Sequence, residues 1–409
     1  MRKVCSVLIL CSMLFLLLSN ATIDAKIKNT LPNTGDEVIP VIAMADAQLI
    51  LDSPSAVLIE GSTGTIIFEK DKDKMLKPAS VTKIMTMLLI FEAIRDNQIN
   101  LMDEVSITEH AASMGGSQVF LEPYETQNVD TLIKCISIAS ANDASVAMAE
   151  FIAGSEEEFV ARMNARAKEL GMNNTNFVNC CGLDIDNHYT TAYDIALMSR
   201  ELITNFPEIS NYSTVWMDTF VHTTRKGQTE FGLTNTNRLI KSYNGITGLK
   251  TGSTCLAKYC LSATARRNNM DLIAVILAAP DTKTRFREAA KLLNYGFANY
   301  SVFTDTNIDL EIAPVRVVKG VTETAKGVPE GQFSYLCSQG RKSEEIKKEI
   351  VLFEEVPAPV AANDKLGEII YYYGSDKLGS IDILATKAIK KAGFKDCFNK
   401  ALRRYFLAK

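Results

Sequence analysis

Residues Pro78 to Phe91, PASVTKIMTMLLIF, decide how the rest of this 409-residue chain is read. After Lys83 the stretch runs Ile84, Met85, Met87, Leu88, Leu89, Ile90, Phe91, apolar on nearly every side and rich in good helix formers. A helix that is apolar all round, yet too short to cross a bilayer, belongs in the middle of a globular core. Pro78 suits its entrance, because the N–H that proline lacks would be unpaired there anyway. The pattern places Ser80 in the first turn, with Lys83 three residues on and on the same face.

That is a poor place for a charged lysine. It faces the positive end of the helix macrodipole, and shielding from water would further disfavour the ammonium form. A neutral amine beside a hydroxyl is a general base beside a nucleophile. The plainer explanation is a surface lysine snorkelling off a helix end. Against it, no other serine in the chain has Lys at +3, and this one opens the most apolar helix.

Toward the N-terminus, Met1 to Ala21 reads as a secretory signal. Arg2 and Lys3 precede the apolar run Val4–Leu18, and Ser19-Asn20-Ala21 is a small-x-small cleavage site. The formal net charge of −4 becomes −6 once the two positive charges of Arg2 and Lys3 leave, and a mildly acidic chain argues against a nucleic-acid partner. Residues 22–42 form a weakly patterned linker. Its Leu31-Pro32-Asn33-Thr34-Gly35 mimics a wall-sorting signal, but such a signal belongs at a C-terminus, so the match is coincidental. Residues 56–70 give two β-rich runs around Gly61–Gly64, a hairpin, and Lys70–Lys74 is a solvated loop leading to the core helix.

Toward the C-terminus, Thr131–Ala139 and Ala144–Ala153 are helical, and Ser140-Ala141-Asn142-Asp143 lies between them. A helix stop followed by an N-cap would explain Ser and Asn there equally well, and a second Ser-x-Asn occurs at Ser242–Asn244. Asn173–Leu183 is irregular. Strands are expected at Tyr259–Thr264 and Leu272–Ala278, preceded by Gly248-Leu249-Lys250-Thr251-Gly252 and Ser253. On a strand, Lys250 and Thr251 present a cation and a hydroxyl to a carboxylate, and Gly252 lets a ligand approach the backbone. A hairpin with a lone surface lysine is the alternative. A closing helix spans Arg285–Phe297. Short strands with Pro and Gly then indicate an all-β domain, at Ile308–Val318, Gln332–Cys337, Ile346–Phe353 and Gly367–Tyr373.

From Phe394 to Ala408 an amphipathic helix is expected, with Phe394, Cys397, Phe398, Ala401, Leu402, Tyr405 and Phe406 on one side. From Lys387 onward, eight Lys or Arg face a single acid, Asp396, which reads as an in-plane anchor on anionic lipid, with packing on its own domain as the alternative. Seven cysteines remain after residue 21, an odd number in spacings that match no zinc pattern. They are read mostly as small buried hydrophobes, and neither a metal nor a cofactor is expected.

Ser80-x-x-Lys83, Ser140-x-Asn142 and Lys250-Thr251-Gly252, in that order, form the motif set of penicillin-binding proteins and serine β-lactamases. The surrounding residues, including Met85-Thr86, Asp143-Ala144, Leu170-Gly171-Met172 and Thr175-x-Phe177-x-Asn179, resemble the low-molecular-mass D-alanyl-D-alanine carboxypeptidases. The likeness runs from about Ala43 to the C-terminus. It implies an α/β fold: a β-lactamase/transpeptidase-like domain over 43–300, a β-rich domain over 302–384 and a membrane-associating helix over 385–409. It also implies an exported enzyme whose partners are a peptidoglycan stem peptide ending in D-Ala-D-Ala, β-lactam inhibitors and an anionic membrane surface.

By the same resemblance Ser80 attacks the peptide carbonyl, Lys83 takes its proton and Ser140 relays a proton to the leaving D-alanine. Asn142 positions the substrate backbone, Lys250 and Thr251 hold the terminal carboxylate, and the amides of Ser80 and Ser253, beside Gly252, form the oxyanion hole. The chain departs from the family in having Ala141 where Gly is common, Thr236 where some members have Arg, leaving Arg238 as a substitute, and Ala257-Lys258 after the third motif. A class A-like β-lactamase would need a deacylating Glu, for which Glu169-x-x-Met172-Asn173 is the nearest match. A non-catalytic wall-binding protein is disfavoured by the intact motifs, and a DD-endopeptidase of the same mechanism is not separated by sequence.

Overall fold

The computed structural model describes residues 49–407, apart from 225–226, 308–309, 339–340 and 342. The expected signal over 1–21 and linker over 22–42 lie outside the described residues.

Strands β1 (Ser55–Glu60) and β2 (Ile66–Lys70) form the expected hairpin, whose turn is tied by the Glu60 carboxylate accepting from the amides of Ser62 and Thr63. A 3-10 turn, Ala79–Thr82, leads into helix α1 (Lys83–Arg95). A mainly helical lobe follows. It comprises the short pair β3 (Glu104–Ser106) and β4 (Thr126–Asn128), then α2 (Val129–Ser137), α3 (Asn142–Ala153), α4 (Glu156–Glu169) and α5 (Ala192–Asn205). After the hairpin β5 (Met217–Thr224) and β6 (Gly227–Thr234) come β7 (Ile246–Thr254), β8 (Lys258–Arg267), β9 (Met270–Ala279) and α6 (Thr282–Asn299). The main sheet is antiparallel in the order β2-β1-β9-β8-β7.

Strand alternation divides the core into two layers. On β1 and β9, Val57, Ile59, Ile273, Val275 and Leu277 face α1 and the helical lobe, whereas Ala56, Leu58, Leu272, Ala274 and Ile276 join the side chains of α6 on the other face. In α1, Ile84, Met85, Met87, Leu88 and Ile90 are fully buried, as its all-round apolarity requires.

Beyond α6 the chain is β-rich. β10 (Tyr300–Asp305) pairs with β14 (Phe333–Ser338), β11 (Val315–Val318) lies between β12 (Thr324–Ala325) and β16 (Glu355–Pro357), and a four-stranded sheet runs β13-β18-β17-β15. The last comprises β13 (Gly327–Pro329), β15 (Ile346–Leu352), β17 (Lys365–Tyr373) and β18 (Asp376–Ala385), and this region has its own core, including Val317, Leu366, Ile369, Tyr371 and Ile383. Helix α7 (Phe394–Leu407) follows. Among the described residues no helix is long and apolar enough to cross a membrane.

Two expectations need correction. Ser80 is not in an α-helical turn: the α-helix begins at Lys83, and Ser80 sits in the tighter 3-10 turn before it, entered through Ala79 at φ +50°. Strands β10 and β18 were not anticipated, because Ser, Thr, Asp and Gly interrupt their alternation. The cysteines are mostly buried, as expected, with Cys255 and Cys397 exposed.

The 3-10 turn is held from both sides. A Cβ on Gly252 of β7 would lie 2.8 Å from the Pro78 carbonyl oxygen and 3.0 Å from the Ser80 amide nitrogen. A Cβ on Gly182, whose φ is +88°, would lie 1.9 Å from the Ala79 oxygen, so no side chain fits there. His188 adds a side-chain tie: Val178 N donates to its Nδ1 at 3.0 Å, which leaves Nε2–H to donate to Thr82 Oγ1 at 2.9 Å. Burial, aided by nearby Lys77, lowers the His188 pKa from 6.5 to about 4.

With the folded-state pKa below the unfolded one, the stability contributed by neutral His188 is complete above pH 6.5 and is lost as pH falls toward 4. The size of that loss is about 3 kcal/mol. Thermal unfolding across this window is expected to show a steeper acid loss in the wild type than in His188→Gln. Parallel curves would contradict the assignment.

Candidate active site

Lys83 is the first residue of α1 and is 0% exposed. Its Nζ lies 3.1 Å from Ser80 Oγ, 2.6 Å from Asn142 Oδ1 and 2.7 Å from the carbonyl of Cys181. Burial is the dominant influence on its pKa and moves it below lysine's ordinary 10.5, against an opposing pull from Cys181, Cys180 and Asp143. The orientation of the Asn142 amide is set by its other contact. Nδ2 donates to Gly115 O at 2.6 Å, and since a carbonyl only accepts, Oδ1 must face Lys83.

Lys83 therefore has two partners that can only accept and one, the Ser80 hydroxyl, that can also donate. A neutral amine has two hydrogens and one lone pair. The hydrogens go to Asn142 and Cys181, and the lone pair is left facing Ser80, which is half-buried.

Ser140 and Asn142 reach this place through the break between α2 and α3. Ser140 takes φ +63°, which turns the chain, and Asn142 opens α3. The capping explanation of Asn142 does not hold: the N-cap is Ala141, and the Asn142 side chain is engaged by Lys83 and Gly115. Next to it, buried Asp143 accepts from the amides of Val119 and Leu121 and so anchors the loop containing Gly115. The second Ser-x-Asn, Ser242–Asn244, ends a short helix and is bound to Arg267 instead.

The lone-surface-lysine explanation of Lys250 also fails. Lys250 lies on β7, 1% exposed, and its Nζ donates to Ser140 Oγ at 2.8 Å and to Thr251 O at 3.3 Å. Burial first, then repulsion from Lys83 and Arg285, pushes its pKa well below the ordinary value. Thr251 Oγ1 is 2.6 Å from Thr236 Oγ1, and Ser253 is exposed at the far end of β7. The fold thus brings together two hydrogen-bonded groups, Ser80–Lys83–Asn142 and Ser140–Lys250–Thr251, whose lysines are close enough to repel each other, with Gly252 against the Ser80 turn.

Arg285 is a further residue of this region that sequence reasoning missed. It is buried in α6, donates to the carbonyls of Gly252 and Cys260, and its Nε has no hydrogen-bond partner. A charged residue on the apolar stripe that continues through Ala289, Leu292 and Leu293 was the available signal. Arg238, in contrast, is exposed. No described carboxylate makes an ion pair with Lys83, Lys250 or Arg285. Glu169 lies at the end of α4, 64% exposed, with its carboxylate on Arg166. No group of three or more metal-ligating side chains occurs among the described residues.

Comparison with known proteins identifies the family. The D-alanyl-D-alanine carboxypeptidase family model matches residues 42–281, and the model of the penicillin-binding protein 5 C-terminal domain matches 306–391. The chain is 43% identical over 348 residues to D-alanyl-D-alanine carboxypeptidase DacF of Bacillus subtilis, covering 85% of this chain and 88% of that protein. It is 31% identical to DacC of Escherichia coli, over 84% of this chain and 86% of that one. The fold matches penicillin-binding protein 5 of Haemophilus influenzae with a TM-score of 0.72 at 29% identity, covering 85% of this chain and all of that one. The chain belongs to the D-alanyl-D-alanine carboxypeptidase family, of the low-molecular-mass penicillin-binding type, and is a serine-type carboxypeptidase.

Proposed function

We propose that Ser80 forms an acyl-enzyme with peptidoglycan stem peptides ending in D-Ala-D-Ala, and with β-lactams, and that Lys83 is its general base. The observation that carries this reading is the hydrogen-bond inventory of Lys83, which leaves a lone pair for the Ser80 proton. A carbonyl placed against Ser80 Oγ is attacked as that proton moves to Nζ. Negative charge developing on the carbonyl oxygen is met by the amides of Ser80 and Ser253. Ser140 accepts a hydrogen bond from Lys250 and so keeps its own O–H to give, which suits it to pass a proton to the leaving D-alanine. Water then releases the acyl group.

The substrate's terminal carboxylate goes to Lys250 and Thr251, with Gly252 leaving the strand open to close approach. Buried cations without carboxylate partners favour an anionic ligand, since each is stabilised when one arrives. A carboxylate beside Lys250 favours its ammonium form, and the repulsion between the two lysines then holds Lys83 neutral. The exposed, arginine-paired Glu169 favours a peptidase over a class A-like β-lactamase.

The proposed organisation is catalytic over 43–300, β-rich over 302–384 and membrane-associating over 385–409, in an exported protein peripheral to the extracytoplasmic face of the membrane. Exposed Phe394, Phe398, Leu402, Tyr405 and Phe406 on α7 support the last part, because they form an apolar side open to lipid.

A labelled penicillin is expected to modify a single peptide, the one containing Ser80, and Ser80→Ala to abolish both labelling and D-alanine release from a pentapeptide. Retained release would remove Ser80 from the role. Because a base works deprotonated, the acylation rate should rise with pH through an acid limb lying below 10.5, and a limb at lysine's ordinary value would argue against a buried Lys83 base. Mature protein should co-float with phosphatidylglycerol vesicles, and a chain ending at residue 393 should not. Equal flotation of both would place the anchor elsewhere.

A further inference from the structure

Two nucleophilic side chains beside this machinery take no part in it. Cys180 and Cys181 are adjacent, free and buried, and the thiol of Cys181 lies 3.7 Å from Asn179 Oδ1. Their carbonyls both serve α1. Thr86 Oγ1 donates to Cys180 O at 2.5 Å, and Lys83 Nζ to Cys181 O at 2.7 Å. The turn that presents them is held by side chains. Glu156 Oε1 accepts from the Cys180 amide at 2.9 Å, and Asn179 Oδ1 accepts from the amides of Cys181, Gly182 and Leu183. One of the two acceptors that orient Lys83 is therefore fixed by the backbone of a dithiol.

We propose that Cys180 and Cys181 are a modification site for peroxides, which close them to a vicinal disulfide, draw the Cys181 carbonyl away from Lys83 and suppress acylation of Ser80. The inference rests on Lys83 being the base for Ser80. A trans peptide fixes neighbouring Cα atoms about 3.8 Å apart, whereas disulfide-linked Cα atoms are rarely closer than about 4.4 Å, so the ring closes only by distorting the peptide unit between the two cysteines. That unit carries the Cys180 carbonyl held by Thr86, and its distortion turns the Cys181 Cα, to which the carbonyl used by Lys83 is attached. Gly182, the next residue, is wedged against the Ala79 oxygen, so movement there also reaches the turn that carries Ser80.

The chemistry balances with one peroxide. The Cys181 thiolate attacks a peroxide oxygen, the O–O bond breaks, and the departing hydroxide takes up a proton as water. The sulfur of Cys180 then attacks the sulfenic acid, the S–S bond forms, the S–O bond breaks, and a second water leaves with the Cys180 proton. Two thiols lose two electrons and two protons, and hydrogen peroxide gains them. Cys181 is the fitter nucleophile: the neighbouring Cys180 thiol holds the Cys181 thiol below the ordinary range, against burial, while burial pushes Cys180 well up. Both thiols are buried, so peroxide reaches them through local opening of the chain around the exposed residues Leu183 to Asn187.

The test uses the full mature chain and its Cys180→Ala variant, each treated with hydrogen peroxide and then freed of it, with labelled penicillin as the reporter. Oxidised wild type should acylate roughly tenfold to a hundredfold more slowly, in line with the cost of misplacing a catalytic group by about 1 Å. Peptide mapping should show a 180–181 bond, and dithiothreitol should restore the rate. Cys180→Ala, which keeps exposed Cys255 and Cys397, should acylate like reduced wild type before and after peroxide. Equal inhibition of the variant, absence of the 180–181 bond, or a mapped bond with an unchanged rate would each overturn the proposal. If reduced wild type is not acylated at all, it is the reading of Ser80 and Lys83 that fails.

Discussion

An amine with two hydrogens to give and three oxygen neighbours must accept from one of them. For Lys83 in its neutral form the choice is made by chemistry alone, because a carbonyl and an oriented amide oxygen cannot donate. The rest of the catalytic region can be seen as the means of keeping that amine dry and that count fixed. Helix α1 supplies the burial, the break before α3 supplies Asn142, and the irregular segment after α4 supplies the Cys181 carbonyl. Water admitted to the group would favour the ammonium form of the amine.

The second lysine depends on the same dryness for the opposite purpose. Lys250 is as buried as Lys83, and the two repel each other. Arg285, behind the strand, adds to the repulsion that Lys250 feels. A ligand carboxylate supplies the missing negative charge. Under the proposed roles of Lys83 and Lys250, recognition of the chain end and preparation of the base are coupled through the repulsion between two amines, with no moving part required.

Much of this could be read before the fold was known, for reasons that differ by element. The all-round apolarity of 84–91 fixed a central helix because no other environment suits it, and the depressed lysine followed from that burial. The three motifs carried the site because their residue types are chemically specific. The 3-10 geometry at Ser80 was not legible, since it arises from the close approach of β7 and of Gly182, which are distant in sequence. Thr82 shows no sign in sequence of its bond to His188, for the same reason. Arg285 was hidden inside an otherwise ordinary amphipathic helix, and its stripe position was its only mark. Strands β10 and β18 went unseen because polar residues interrupt their pattern and pairing partners, not local preference, define them.

The two glycines pressed against the Ser80 turn also bear on how such a site can change. With backbone oxygen and nitrogen atoms within van der Waals reach on both sides, the ground beneath the nucleophile has no room for added bulk. Added side-chain bulk is accommodated only away from this turn. The interior of the site is, in that sense, already at its smallest.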